Sequence, residues 1–273
     1  MLKRIVVKFG TKELTNGSSR LKKEIFQRIA AQVSLIIKDG TEVIIVSSGA
    51  IQAGREKKLD KGKSTDGISK EELAAIGNMD YFPSLWNEAF DLQNKETALF
   101  PLTYSEWEEE IKKEDVRKRM INCIKRGDVP IVNENDIVCN KEIESMEKGI
   151  SENDCLARMV ANLVGADGVL FLTYAGGIYD KNPEKNNDAK IRERIVITEK
   201  DIAELKEEYN NNHYQSYDLL GTGGIEKKSR EAFLCFEREK NRNMKRVAIA
   251  GTGNTTIVKF ANHEKIRGTE IVL

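Results

Sequence analysis

The stretch Gly221 to Lys228 reads Gly-Thr-Gly-Gly-Ile-Glu-Lys-Lys, three glycines that run directly into a helical pattern. Glycine reaches positive φ at no steric cost, so such a run brings backbone N–H groups close to an anion. The helix start behind it adds unpaired donors and the positive end of its dipole. A lysine in the first turn supplies a full charge. The chemistry this suits is phosphate binding. The spacing matches neither G-x-x-x-x-G-K-[ST] nor G-x-G-x-x-G, however, and a glycine-rich helix entry also builds a plain tight turn.

Two further places gather polar groups where a core would exclude them. Val129 to Val132 is a short apolar run that leaves through Asn133-Glu134-Asn135-Asp136, two amides and two carboxylates. Placing these near a core is costly unless they hold something polar, the alternative being a polar turn. Ser151-Glu152-Asn153-Asp154 opens a helical pattern with capping-box spacing, so Asn153 and Asp154 are read either as site residues or only as a cap.

The elements that would carry these groups follow one another in α/β alternation. Arg4 to Phe9 is a β-branched apolar run ending at Lys8-Phe9-Gly10, a buried strand with a glycine turn. A helix capped by Ser18 or Ser19 follows, with Leu21, Ile25, Ile29, Val33 and Ile36 on one face until Gly40. Val43 to Val46 is the next strand and exits at Ser47-Ser48-Gly49, so that a right-handed βαβ unit opens both strand ends on one sheet edge. Residues 55 to 70 are polar and read as a long loop. A helical pattern then runs from Glu71 toward Phe90, and the charged residues 104 to 119 form a surface helix pair.

Strands are expected at Val129 to Val132, Gly168 to Thr173, Arg246 to Ala250 and Gly268 to Leu273. Helices are expected after Ser151, near Glu199 to Glu208 and from about Glu226 to Glu239, with loops at Lys181 to Lys190 and Asn210 to Asp218. Polar or glycine-rich loops thus follow strand after strand, which predicts an α/β protein, a three-layer α/β/α sandwich with a mostly parallel central sheet. A dinucleotide-binding dehydrogenase is disfavoured, because Gly251-Thr252-Gly253 does not complete that fingerprint.

Composition sets the outer bounds. The 273 residues carry 44 Lys and Arg against 44 Asp and Glu, so no net basic field draws nucleic acid or an anionic membrane. No apolar run reaches signal-peptide or membrane-span length, and the expected location is the cytoplasm. Four cysteines, without a C-x-x-C pair, and two remote histidines argue for buried thiols rather than a zinc site.

Taken in order, Val-Val-Lys-Phe-Gly-Thr, Val-Ser-Ser-Gly-Ala-Ile-Gln-Ala-Gly, Val-Pro-Ile-Val-Asn-Glu-Asn-Asp, Asn-Asp-Cys-Leu-Ala and Gly-Thr-Gly-Gly-Ile-Glu-Lys-Lys closely resemble the glutamate 5-kinases of the amino acid kinase family. The resemblance covers essentially the whole chain. It implies one amino acid kinase domain over residues 1–273, with an acceptor-binding half to about 165 and a nucleotide-binding half from about 166. Many members carry a further C-terminal PUA domain, and this chain is expected to be a short form without it.

The resemblance puts Lys8 and Lys228 on the transferring phosphoryl group and gives Asp154 the orienting of both lysines. It assigns Ser48, Asp136 and Asn153 to the glutamate. The nucleotide would meet Lys8, Thr173, Tyr174, Thr222, Gly223, Gly224, Ile225, Glu226, Lys227 and Lys228. Tyr174 stands where the family usually has Asp, and Lys227 where a small polar residue is common. The implied reaction moves the γ-phosphoryl of ATP to the side-chain carboxylate of L-glutamate, the first step of proline biosynthesis, with Mg²⁺ carried on the nucleotide and no protein metal ligand. A homo-oligomer and functional coupling to glutamyl phosphate reductase are also implied. The alternatives are a related carboxylate kinase acting on N-acetylglutamate or aspartate, and a nucleotide- or amino-acid-binding regulatory protein that has lost turnover.

Overall fold

The computed structural model describes residues 1–103, 105–135, 152–210 and 224–273. The chain divides into two compact units, one made of Met1–Lys8 with Asn140–Leu273, the other of Phe9–Cys139.

In the first unit the sheet begins with β1 (Arg4–Phe9), whose neighbours in order are β5 (Gly168–Leu172), β7 (Arg246–Ala250), β8 (Gly268–Val272) and β6 (Arg194–Val196). β1, β5 and β7 run parallel, β7 and β8 antiparallel, and β8 and β6 parallel. The first three are largely apolar because they are buried on both faces, as parallel strands are, with Lys8 and Arg246 as buried charged exceptions. Register between β1 and β5 is pinned by the buried Asp167 carboxylate. It accepts the backbone N–H of Arg4 at 2.9 Å and that of Lys3 at 3.0 Å, which brings Lys8 level with Phe171. Among the described residues, the helices of this unit are α8 (Glu152–Val164), α9 (Glu199–Asn210), α10 (Gly224–Leu234) and α11 (Thr256–Ala261).

The second unit holds β2 (Glu42–Ser47), β3 (Thr97–Leu102) and β4 (Val129–Glu134), parallel in the order β3-β4-β2. Its helices are α1 (Thr11–Thr15), α2 (Lys23–Lys38), α3 (Ala50–Leu59), α4 (Lys70–Met79), α5 (Tyr81–Asp91), α6 (Ser105–Glu108) and α7 (Glu110–Arg126). Trp86 centres the core, its ring 4.7 Å from that of Phe26, 5.9 Å from Phe9 and 6.2 Å from Phe90.

The α/β reading, with mostly parallel strands, therefore stands, and several local expectations are corrected. The serines do not cap α2, whose first turn has no side-chain cap. Ser18 instead closes a turn on Thr15, and the buried Glu56 carboxylate accepts the Leu21 N–H at 2.7 Å. Residues 55 to 59 are helical rather than loop, because α3 packs backbone to backbone on α4. A Cβ at Gly54 would lie 1.9 Å from the Leu73 carbonyl oxygen, and one at Gly77 2.0 Å from that of Ala50. The pattern from Glu71 to Phe90 is two helices, broken at Asp80 where φ is −153°. The helix expected over Glu226 to Glu239 starts at Gly224 and ends at Leu234. The Asn210 to Asp218 loop lies, beyond Asn210, outside the described residues. No helix among the described residues is long and apolar enough to cross a membrane.

Candidate active site

Three of the residues singled out by sequence meet in the first unit. Lys8, near the C-terminal end of β1, and Lys228, in the second turn of α10, both point at Asp154 in the first turn of α8. Each ammonium lies 2.7 Å from the same carboxylate oxygen, Oδ1. All three side chains are buried. The local reasons are visible in the sequence. β1 delivers Lys8 because alternation sets it beside Phe171 on β5. Asp154 sits where the positive end of a helix favours a carboxylate. The Phe171 ring also faces the Lys228 ammonium, 5.8 Å from its centroid, and lends a cation–π contact.

The electrostatics follow from this geometry. Burial alone pushes the Asp154 carboxyl up, but the charges of Lys8 and Lys228 and their hydrogen bonds outweigh it and bring it down to about 2. Asp154 is therefore ionised at any physiological pH. Two unit charges about 4 Å apart repel by about 4 kcal/mol at an effective dielectric of 20, so one carboxylate between them holds together what would otherwise separate. The result is a pair of ammonium groups fixed in a dry place, suited to receiving a more highly charged anion.

At the C-terminal ends of β5 and β7, an open cleft of about 340 Å³ is lined by Tyr174, Tyr179, Ile191, Thr252, Thr256 and Arg267, among others. Parallel α/β sheets bind ligands at this edge. Thr173 is buried and its N–H bonds the Ala250 carbonyl at 2.8 Å, which ties the two strand exits together. Tyr174 projects into the cleft with 61% of its surface exposed. The resemblance names Thr173 and Tyr174 but not Gly251 to Gly253, which the sequence shows only as a glycine-rich strand exit and an incomplete dinucleotide fingerprint. The repeated glycine exit after successive strands was the available signal.

The remaining candidates are placed as follows. Gly224 is the first residue of α10; Ile225 and Glu226 are half-buried, and Lys227 is exposed beside the buried Lys228. Asn153 precedes Asp154 on α8 and is half-buried. Ser48 lies in the second unit, half-buried, at the exit of β2. Its N–H donates to the Phe9 carbonyl at 2.9 Å, and Gly49 behind it turns with φ of 128° to begin α3 without a side-chain cap. In the same unit Asn133 and Glu134 end β4 as buried polar groups, with the Asn133 amide 3.3 Å from Asn78 Oδ1. Asp136, Thr222 and Gly223 lie outside the described residues.

Comparison with known proteins bears on this arrangement. The model of the amino acid kinase family matches residues 3–249. A protein named glutamate 5-kinase from Thermoanaerobacter sp. (strain X514) is 34% identical over 270 residues, which are 97% of this chain and 67% of that protein. Another of that name from Dehalococcoides mccartyi (strain ATCC BAA-2266 / KCTC 15142 / 195) is 38% identical over 236 residues, 85% of this chain and 60% of the relative. Among solved structures, UMP kinase from Bacillus anthracis superposes with a TM-score of 0.59 at 14% identity, covering 99% of this chain and 96% of that one. That likeness concerns the fold.

Proposed function

Because the chain belongs to the amino acid kinase family, we propose that it transfers the γ-phosphoryl of ATP to the side-chain carboxylate of L-glutamate, the first step of proline biosynthesis. The observation that carries the reading is the pair Lys8 and Lys228 on one oxygen of Asp154.

A carboxylate with a reference pKa of about 4.3 is already ionised at neutral pH, so the acceptor needs no general base. Its oxygen attacks the γ-phosphorus, the bond from that phosphorus to the bridging oxygen breaks, and ADP leaves with the electron pair. The obstacle is repulsion between two anions. Lys8 and Lys228 lower it by facing the equatorial oxygens, where charge is spread in the transition state. Asp154 holds both until the phosphates take its place as counter-charge.

In this reading the nucleotide phosphates rest on Thr222 to Lys228, and the nucleoside occupies the cleft beside Thr173 and Tyr174. Ser48, Asp136 and Asn153 bind the acceptor, Asp136 matching its α-ammonium. The groups facing the reaction are two ammoniums and a carboxylate bridged by both, a donor set that suits Mg²⁺ brought on the phosphates with its waters. When bound, the ion would neutralise phosphate charge. An acyl phosphate is prone to hydrolysis, so coupling to glutamyl phosphate reductase in the cytoplasm belongs to the same proposal. So does a homo-oligomer, for which exposed Met79 and Leu92 offer apolar surface.

The test is ADP release with L-glutamate, N-acetyl-L-glutamate and L-aspartate offered separately. Glutamate should give kcat/KM at least about tenfold above either competitor, the least that a single missing methylene costs. Preference for another acid would replace the proposed substrate.

A further inference from the structure

The contact that joins Lys228 to Asp154 has a counterpart one turn further along the same two helices. Arg158 on α8 meets Glu231 on α10, Nε to Oε2, at 2.6 Å, with the Glu231 side chain 1% exposed and that of Arg158 11%. Along α8 the order of charge is Asp154 then Arg158; along α10 it is Lys228 then Glu231. The second pair thus has reversed polarity relative to the first.

We propose that Arg158 and Glu231 are positioning residues for phosphoryl transfer, a register lock that holds the Lys228 ammonium on Asp154. This role presupposes the proposed kinase reaction and follows from the spacing, the polarity and the surroundings of the two pairs. Residues i and i+4, and i and i+3, share one helix face, so each helix presents its two charges to the other as a matched set. If α10 slid by one turn, Lys228 would meet Arg158, or Glu231 would meet Asp154; either puts like charges together in a buried place. The Arg158 end is itself held, its guanidinium also reaching Cys155 Sγ at 3.5 Å. A buried ion pair is weak evidence for stability, and its best-attested use is to specify one arrangement over its neighbours.

Two double variants test this, read beside the parent in steady-state assays and thermal melts. Arg158→Leu with Glu231→Leu fills the same space without charge. It should melt within a few degrees of the parent, lower kcat by about tenfold and leave KM for ATP and glutamate within about twofold, as a loss confined to the transition state does. Arg158→Glu with Glu231→Arg restores an ion pair but gives each helix charges of one sign, so a shifted register is no longer penalised. It should recover the melting temperature and not kcat. Parental kcat in the folded leucine variant, or kcat recovered together with stability in the swapped one, would overturn the proposal. If the leucine variant does not fold, the swap decides. A parent without glutamate-dependent turnover would instead defeat the kinase reading, and that is seen before any variant is compared.

Discussion

Lys8 and Lys228 are held by a single atom: both ammonium groups lie 2.7 Å from Asp154 Oδ1, although one lysine comes from the first strand of the chain and the other from a helix more than two hundred residues later. Neither lysine has to be ordered by substrate. This preorganisation places the charge before the reaction, when reorganisation would otherwise be part of the barrier.

Lys8→Ala and Lys228→Ala should therefore each lower kcat by about 10² or more with a smaller change in KM, since the charge they supply matters most in the transition state. Initial-rate kinetics with both substrates varied measure this. A variant with parental kcat would take that lysine out of the mechanism.

Asp154→Asn leaves two buried ammoniums on a neutral amide. Breaking a buried ion pair by removing one partner costs about 3–5 kcal/mol, which would lower the melting temperature by about 10 °C in a chain of this size. Helical content should survive, and turnover should fall by about 10² or more. Circular dichroism and an ADP-release assay separate the two effects; a variant that loses its melting transition altogether would make Asp154 mainly structural.

The pH dependence has a definite sign. The folded Asp154 carboxyl is held down to about 2, below the ordinary value of about 3.9 in an unfolded chain. Its contribution is thus fully present above about pH 4 and is lost as pH falls from about 4 through about 2, amounting to about 2–3 kcal/mol by linkage. The gap in melting temperature between the parent and Asp154→Asn should narrow over that window. A gap that stays constant down to pH 2 would contradict the assignment.

How much of this was legible beforehand depended on the kind of signal. Six strands are legible as short runs, five of them mainly apolar because parallel strands buried on both faces need little else, and β8 as a shorter apolar ending after Gly268. β3 is not, since along Thr97–Leu102 only Leu102 is buried and the strand includes Pro101; β6 is too short, with three residues. The charged trio came from resemblance, because Asp154 alone reads equally as a helix cap. Arg158 and Glu231 were not foreseen. Charged residues within a helix usually mark its solvated face, and here Lys228, Ser229, Arg230 and Glu231 are all buried in succession. Partners on two neighbouring helices explain the charged ones, α8 for Lys228 and Glu231 and Glu208 of α9 for Arg230, and no local pattern names such partners.

Tyr174 separates an active kinase from a binding protein. A phenol at the cleft offers one donor, one acceptor and a ring face, where a carboxylate would add charge near the triphosphate. Calorimetric titration of Mg-ATP and Mg-GTP should show binding by the parent, with altered nucleotide preference in Tyr174→Asp. No binding by the parent, restored in the Asp variant, would mean that Tyr174 disables the site.

The most direct measurement is to trap the product. The parent, incubated with Mg-ATP, L-glutamate and hydroxylamine, should form γ-glutamyl hydroxamate in step with ADP, and Lys228→Ala should lower both together by about 10² or more. ADP released without hydroxamate, or hydroxamate formed equally by Lys228→Ala, would contradict phosphoryl transfer to the glutamate carboxylate at the Lys8, Asp154 and Lys228 site.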